Sequence, residues 1–160
     1  MVEQSAPTST QRVAGGPRAG FWRRFGAAII DAILVAIPVN ILAGILGMDT
    51  FNYAGQDFTA YQSLSTIAGW AYGTYFEGGG AGQTVGKKLL NIRVIDLSTG
   101  GRLTYGSAFL RQVVKIVSAI PLALGYLWML WDGERQTWHD KAAGSVVVPT
   151  DAYPAPNWPG

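Results

Sequence analysis

Apolar residues gather in three stretches of this chain, and polar ones separate them. The first stretch runs over Phe21–Leu46. Between Phe25 and Gly47 its only charged residue is Asp31, and Asn40 is the only other strongly polar one. As a helix it is long enough to cross a hydrocarbon core of about 30 Å, with Pro38 predicting a kink. It begins late and exceeds the roughly 7–15 residues of a signal-peptide core, so it predicts an uncleaved membrane helix. The second stretch, Phe58–Phe76, has no charge but carries Gln62, Ser63, Ser65, Thr66 and several tyrosines. Such a helix suits a bundle interior better than lipid. Gly69 and Gly73 stand four apart, as do Ala28, Ala32 and Ala36. That spacing of small residues lets two helix backbones approach closely; it is equally the ordinary composition of membrane helices.

The third stretch, Tyr105–Trp131, is broken by Pro121. Its first half places Arg111 and Lys115 on one face, with Phe109, Leu110, Val113, Val114 and Val117 elsewhere, the pattern of an amphipathic interfacial helix. The second half, Leu122–Trp131, is apolar and ends in Tyr126, Trp128 and Trp131. Each half is only about 15–20 Å long, which favours a re-entrant or interfacial hairpin over a crossing. Between the second and third stretches comes the glycine-rich Gly78–Gly86, then β-branched Ile92, Val94 and Ile95, then a turn signal at Ser98–Gly101. A short hairpin of Leu89–Asp96 with Arg102–Tyr105 is predicted. Val146–Val148 is a third strand that would pair with Asn91–Ile95. The fold class is an all-α integral membrane protein with two transmembrane helices, a broken third hydrophobic region and a small cytoplasmic β-element. Residues 20–148 form its membrane domain. Residues 1–19 and 149–160, rich in Ser, Thr, Pro and Gly, read as tails.

Composition agrees: 14% of residues are charged, against about 25% in soluble domains. Without cysteine there is no disulfide or thiolate chemistry. A net charge of +2 is too mild to argue for nucleic acid. The placement of basic residues says more. Arg12, Arg18, Arg23 and Arg24 precede or open the first stretch, and the loop 48–57 holds only Asp49 and Asp57. Lys87, Lys88, Arg93, Arg102, Arg111 and Lys115 follow the second stretch. The positive-inside rule then puts the N-terminus in the cytoplasm, for a multi-pass protein of the plasma membrane. Arg135 and Lys141 favour the same side for the C-terminal segment. Lys87, Lys88, Arg93 and Arg102 would also suit the anionic inner leaflet.

A carboxylate within a span costs about 2.5–3.5 kcal/mol even on the lenient insertion scale, which makes Asp31 a functional-site hypothesis. Arg24 lies two turns below it on the same face, a rise of about 10 Å. A partner from another helix would reach better; Arg111 leads, ahead of Lys115, Arg135 and His139. Two readings stand together: a buried ion pair that fixes helix register, and a carboxylate that handles protons or small cations. The glycine-rich stretch is no Walker A loop, since Ala81 and Lys88 occupy positions that need Gly and Ser or Thr. No nucleotide is expected. One histidine, His139, cannot make a metal site alone and reads as a capping or interfacial residue. No catalytic grouping emerges, so neither cofactor nor enzyme activity is expected.

Arg24 followed by Asp31 within FWRRFGAAIIDAIL (Phe21–Leu34) resembles the signature of the RDD family of membrane proteins, named for one arginine and two aspartates. GQTVGKKLLNIRVID (Gly82–Asp96), LTYGSAFLRQ (Leu103–Gln112) and WDGERQTWHDKAAGSVVV (Trp131–Val148) are similar to the family's later segments. Asp140 corresponds to its last aspartate. Ser145 stands where the family usually has threonine and keeps the hydroxyl. The resemblance implies Arg24, Asp31 and Asp140 as key charges, with Gly82, Thr84, Gly86, Lys87 and Arg111 as matched motif positions. It implies a transport role, monovalent cation/proton exchange among its forms, or an accessory place in a larger membrane assembly. On the transport reading Asp31 is the ion site, Arg24 or Arg111 its partner, and Asp140 with Lys87 a cytoplasmic gate. A bundle this small then needs a homo-oligomer or another membrane-protein partner within the bilayer.

Overall fold

Periodicity tells which residues share a helix face, and the surroundings decide which face points inward. In this computed structural model, which describes residues 15–48, 55–119 and 124–153, much of the charge points inward. The predictions for residues 1–14 and 154–160, for Asp49 and for Pro121 concern positions outside that set. Helix α1 (Phe21–Ile45) carries a bulky row of Phe25, Ile29, Ile33, Ile37, Ile41 and Ile45 on its exposed side. It runs through Pro38 without a break. Among the described helices it is the one long and apolar enough to cross a membrane.

Helix α2 (Gln56–Gly78) lies antiparallel to α1. Tyr61 donates to Asn40 (3.4 Å) near one end and Tyr72 donates to Asp31 (2.8 Å) further along. The short helix α3 (Val85–Leu89) starts at an N-cap, Thr84, whose hydroxyl accepts from the Lys87 N–H (3.4 Å). Helix α4 (Tyr105–Ala119) then runs antiparallel to α2: Tyr105 meets Gly78 and Gln112 meets Gly73. A Cβ on Gly73 would stand 2.6 Å from the Gln112 amide, and one on Gly78 would stand 2.7 Å from the Tyr105 ring. The close helix pair is therefore α2 with α4. Helices α1 and α2 also pack against each other, through Tyr61–Asn40 and Tyr72–Asp31, but not closely at Gly69, where nothing lies within 4 Å of a Cβ.

Helix α4 also corrects the interfacial reading. Arg111 and Gln112 are buried, while Phe109, Leu110, Ile116 and Val117 are exposed. The cations turn inward because carboxylates wait there, and the apolar side faces outward as a membrane surface would. Helix α5 (Leu124–Leu127) turns back beside the end of α4, with Gly125 against Ser118 and the Tyr126 hydroxyl donating to the Lys115 carbonyl (3.4 Å). A 3₁₀ turn (Trp128–Leu130) and helix α6 (Trp138–Ala142) follow. The exposed Trp22, Tyr75, Tyr105, Trp128 and Trp131 are of the residue types that favour the headgroup level.

Strand β1 (Ile92–Asp96) pairs antiparallel with β2 (Ser145–Pro149), Val94 opposite Val147 and Ile95 opposite Val146. The predicted pairing of Asn91–Ile95 with Val146–Val148 forms, and the predicted hairpin with Arg102–Tyr105 does not. Asp96 closes the turn on itself by accepting from the Ser98 and Thr99 N–H groups (2.8 and 2.9 Å). Leu103 is buried in the core beneath the sheet, and Thr104 caps α4 through the Ser107 N–H (3.1 Å). One sheet face packs Ile92, Val94 and Val147 with Leu103, Ala108, Ala19 and Ala27; the other packs Ile95, Val146 and Val148 with Leu97 and Tyr153. Arg93, expected near lipid headgroups, is buried in β1, whereas Lys88 and Arg102 are exposed. The Ala19 N–H donates to the Val147 carbonyl (2.9 Å), so the segment before α1 and the last strand share one end of the molecule.

Candidate functional site

Two buried carboxylates hold that end together. Asp140, on α6, accepts from Arg24 (2.7 Å) on one oxygen and from Arg111 (2.5 Å) on the other. Thr137 and Asp140 also form a capping box at the start of α6. Burial, the largest single influence, pushes the Asp140 carboxyl up, but Arg111 and Arg24 outweigh it and hold the group well below the usual carboxylate range. Glu77, at the end of α2, accepts from Lys87 (2.5 Å), Arg111 (3.0 Å), Gln112 (3.0 Å) and Lys115 (3.5 Å). Arg111 thus bridges both carboxylates, and its guanidinium also donates to the Ser145 hydroxyl (2.5 Å). That bond gives the hydroxyl at position 145 a purpose.

Asp31 stands apart from this network. Its partners are the Tyr72 hydroxyl (2.8 Å), the Thr84 hydroxyl (2.6 Å) and the Gly86 N–H (2.8 Å). Among the described residues it forms no ion pair, with Arg111, Arg24 or any other cation. Arg24 instead reaches Asp140, the Ala19 carbonyl (3.1 Å) and the Val147 carbonyl (3.4 Å). The carboxylate clamps the start of α3 onto α1. Gly86 permits this, since a Cβ there would collide with the Ala27 carbonyl and come within 2.9 Å of Asp31. Gly82 turns the chain toward α3 with φ +64°, a left-handed conformation, and its carbonyl accepts from the Val94 N–H (2.9 Å). Gly86→Ala is expected to lose about 1–3 kcal/mol by overpacking, measured as a lowered unfolding midpoint in detergent.

A cavity of about 770 Å³ lies between α1 and α2 and reaches down to these charges. Ala28, Ala32 and Ala36 line one wall, Ser65, Gly69 and Gly73 the other. Asp31, Glu77, Arg24, Lys87, Arg111 and Lys115 line its charged part, beside His139. His139 is buried against Tyr126, with ring centroids 5.1 Å apart. Burial pushes its imidazole down to about 3, so it is neutral at pH 7 and its 4.0 Å approach to Asp140 is no ion pair there. Below the ordinary histidine range the unfolded chain binds a proton that the folded chain refuses, so stability is lost as pH falls from about 6.5 toward 3. The expected slope is roughly 1 kcal/mol per pH unit. Between pH 5 and 7 it should vanish in His139→Phe, because the chain has one histidine and the lowered carboxyls of Asp132 and Asp140 act only at lower pH; unfolding at stepped pH over that range measures it.

Glu77 was not among the residues singled out by sequence. It closes an uncharged stretch just before the glycines and looks like an ordinary helix-end charge. The available signal was Arg111 and Lys115 on one face of an otherwise apolar helix, which demands a buried carboxylate nearby.

The helical fold, with one candidate membrane helix, a small two-stranded sheet and a cluster built on Arg24, Arg111 and Asp140, defines a membrane protein with an internal charge network. The chain belongs to the RDD family, whose sequence pattern matches residues 18–144. It is similar to the proline-rich antigen of Mycobacterium leprae (strain TN), 34% identical over 104 residues, 65% of this chain and 39% of that protein. It is 36% identical over 80 residues to the proline-rich antigen homolog of Mycobacterium tuberculosis (strain ATCC 25618 / H37Rv), 50% of this chain and 32% of that one. The uncharacterized membrane protein YteJ of Bacillus subtilis (strain 168) is 27% identical over 143 residues, 84% of this chain and 83% of YteJ. The chain spans less than half the length of the two mycobacterial relatives. No solved structure matches it.

Proposed function

We propose that this chain is a multi-pass transport-type protein of the plasma membrane, with α1 and α2 as its crossings and its N-terminus in the cytoplasm. Asp31 is its proton-handling group. The observation that carries this reading is the position of Asp31: a carboxylate on the candidate span, lining a cavity, held by three neutral donors. Protons fit better than metal cations, because a proton needs one carboxylate oxygen, whereas a metal ion needs several ligands, and among the described residues no group of three or more His, Cys, Asp or Glu gathers to hold one. Protonating Asp31 removes acceptor capacity and turns one of its donors away. The clamp on α3 then loosens. Lys87 sits on α3 and pairs with Glu77, so the same event disturbs the ion pairs at the cavity's charged end. That is the gate in this reading, with Asp140 as its fixed wall. A homo-oligomer would complete a pathway that so few helices cannot enclose. The accessory-subunit reading needs charges that seek a foreign partner, and Glu77 and Asp140 already have partners within the chain.

Proton flux into proteoliposomes tests the proposal. Asp31→Asn is expected to abolish flux, and Tyr72→Phe, which keeps the carboxylate, to retain it. Asp31→Asn also loses a satisfied acceptor, at about 1–3 kcal/mol, so circular dichroism and a melting curve must show it folded. Equal flux through folded wild type and Asp31→Asn would contradict the proposal.

A further inference from the structure

We propose that the cavity between α1 and α2 is a binding site for one anionic phospholipid, its phosphate on Lys87 and Lys115 and an acyl chain between the small-residue walls. The inference stands whether or not the protein transports protons.

Charge comes first. Among the described residues Arg24, Lys87, Arg111 and Lys115 pair only with Glu77 and Asp140, and even with Asp31, which lines the same cavity, four cations stand against three carboxylates and one positive charge is left uncancelled. Donor capacity points the same way. An ammonium has three donors; among the described residues the Lys87 amine meets only Glu77, and the Lys115 amine meets Gln112 (2.8 Å) and, at 3.5 Å, Glu77. His139 supplies an independent sign. It is 5% exposed, it lines the cavity, and its Nδ1 has no hydrogen-bond partner. Buried polar atoms are satisfied as a rule, and a headgroup oxygen reaching this end would satisfy Nδ1.

The walls specify the rest of the ligand. From Arg24 to Val39 the cavity follows α1 for about 22 Å, more than the roughly 15 Å depth of one leaflet's hydrocarbon. Ala28, Ala32 and Ala36 leave room on one side and Gly69 on the other, where nothing lies within 4 Å of a Cβ. The three alanines remain exposed, so the cavity is open sideways and a chain enters from the surrounding bilayer. A small soluble anion would use the charged end and leave this apolar length empty.

Native mass spectrometry of the full chain in neutral detergent tests the assignment, titrated separately with dioleoyl phosphatidylglycerol, dioleoyl phosphatidylcholine and sodium phosphate. One phosphatidylglycerol should be retained, about tenfold tighter than phosphatidylcholine, whose phosphate is the same but whose choline cation meets the uncancelled positive charge of the site. Lys115→Met should remove that preference. Gly69→Leu, or Ala32→Leu should the first fail to fold, should weaken phosphatidylglycerol by about tenfold or more by filling the wall. Equal binding of the two lipids overturns the proposal, as does no retained lipid. So does displacement by millimolar phosphate combined with indifference to Gly69→Leu, which would make the site one for a free anion.

Discussion

Asp140→Asn is expected to cost about 3–5 kcal/mol of folding stability, because it leaves buried cations without their counter-charge. Asp140 is fully buried and serves Arg24 and Arg111 on separate oxygens, while the Thr137 N–H donates to it as well (3.1 Å). Asparagine offers one acceptor oxygen and turns an N–H₂ toward a guanidinium. Arginine cannot shed its proton to escape. Arg111 keeps Glu77, so the larger loss falls on Arg24, which retains only carbonyls. The double variant Arg24→Met with Asp140→Asn should therefore be less destabilised than the two single variants together, by about 1–3 kcal/mol of coupling. Unfolding titrations in detergent measure both. A single-variant loss under about 1 kcal/mol, the range of an exposed pair, would show that the pair is wet and weak.

Glu77→Gln is expected to have a comparable effect, about 3–5 kcal/mol, by a different route. Glu77 is the shared counter-charge of Lys87, Arg111 and Lys115, which come from α3 and α4 while Glu77 ends α2. Glutamine keeps the shape and removes the charge that gathers three elements. The glycine contacts at Gly73 and Gly78 still allow α4 to approach α2, so helix content should survive while packing loosens. Hydrogen exchange should report this as faster opening in α3 and α4 than in the sheet. Uniform exchange across all elements would assign Glu77 no such joining role.

Much of this arrangement was legible in the sequence. The apolar run around Asp31 announced α1, and the β-branched residues at Ile92, Val94 and Ile95 with Val146–Val148 announced the sheet. The Arg102–Tyr105 strand failed for a local reason: Thr104 caps a helix, and no residue count around a Ser-Thr-Gly-Gly turn reveals that choice. The orientation of α4 was not legible. A face bearing Arg111 and Lys115 has the same period whether it meets headgroups or a buried glutamate, and only the position of Glu77 decides. The partners of Asp31 were hidden for a related reason. Tyr72 and Thr84 are neutral, and a search for opposite charge passes over hydroxyls and the bare N–H that Gly86 exposes. The small residues predicted a close helix pair correctly in kind; the pair that uses them is α2 with α4, and the alanines of α1 line open space.

The measurement that bears most directly on the central claim is proton uptake by proteoliposomes holding folded wild type or folded Asp31→Asn, under an imposed pH gradient. Uptake by the wild type that the variant lacks is the predicted result. Uptake unchanged by the variant, or absent from well-folded wild type, would contradict it and leave Asp31 as the clamp that holds α3 to α1.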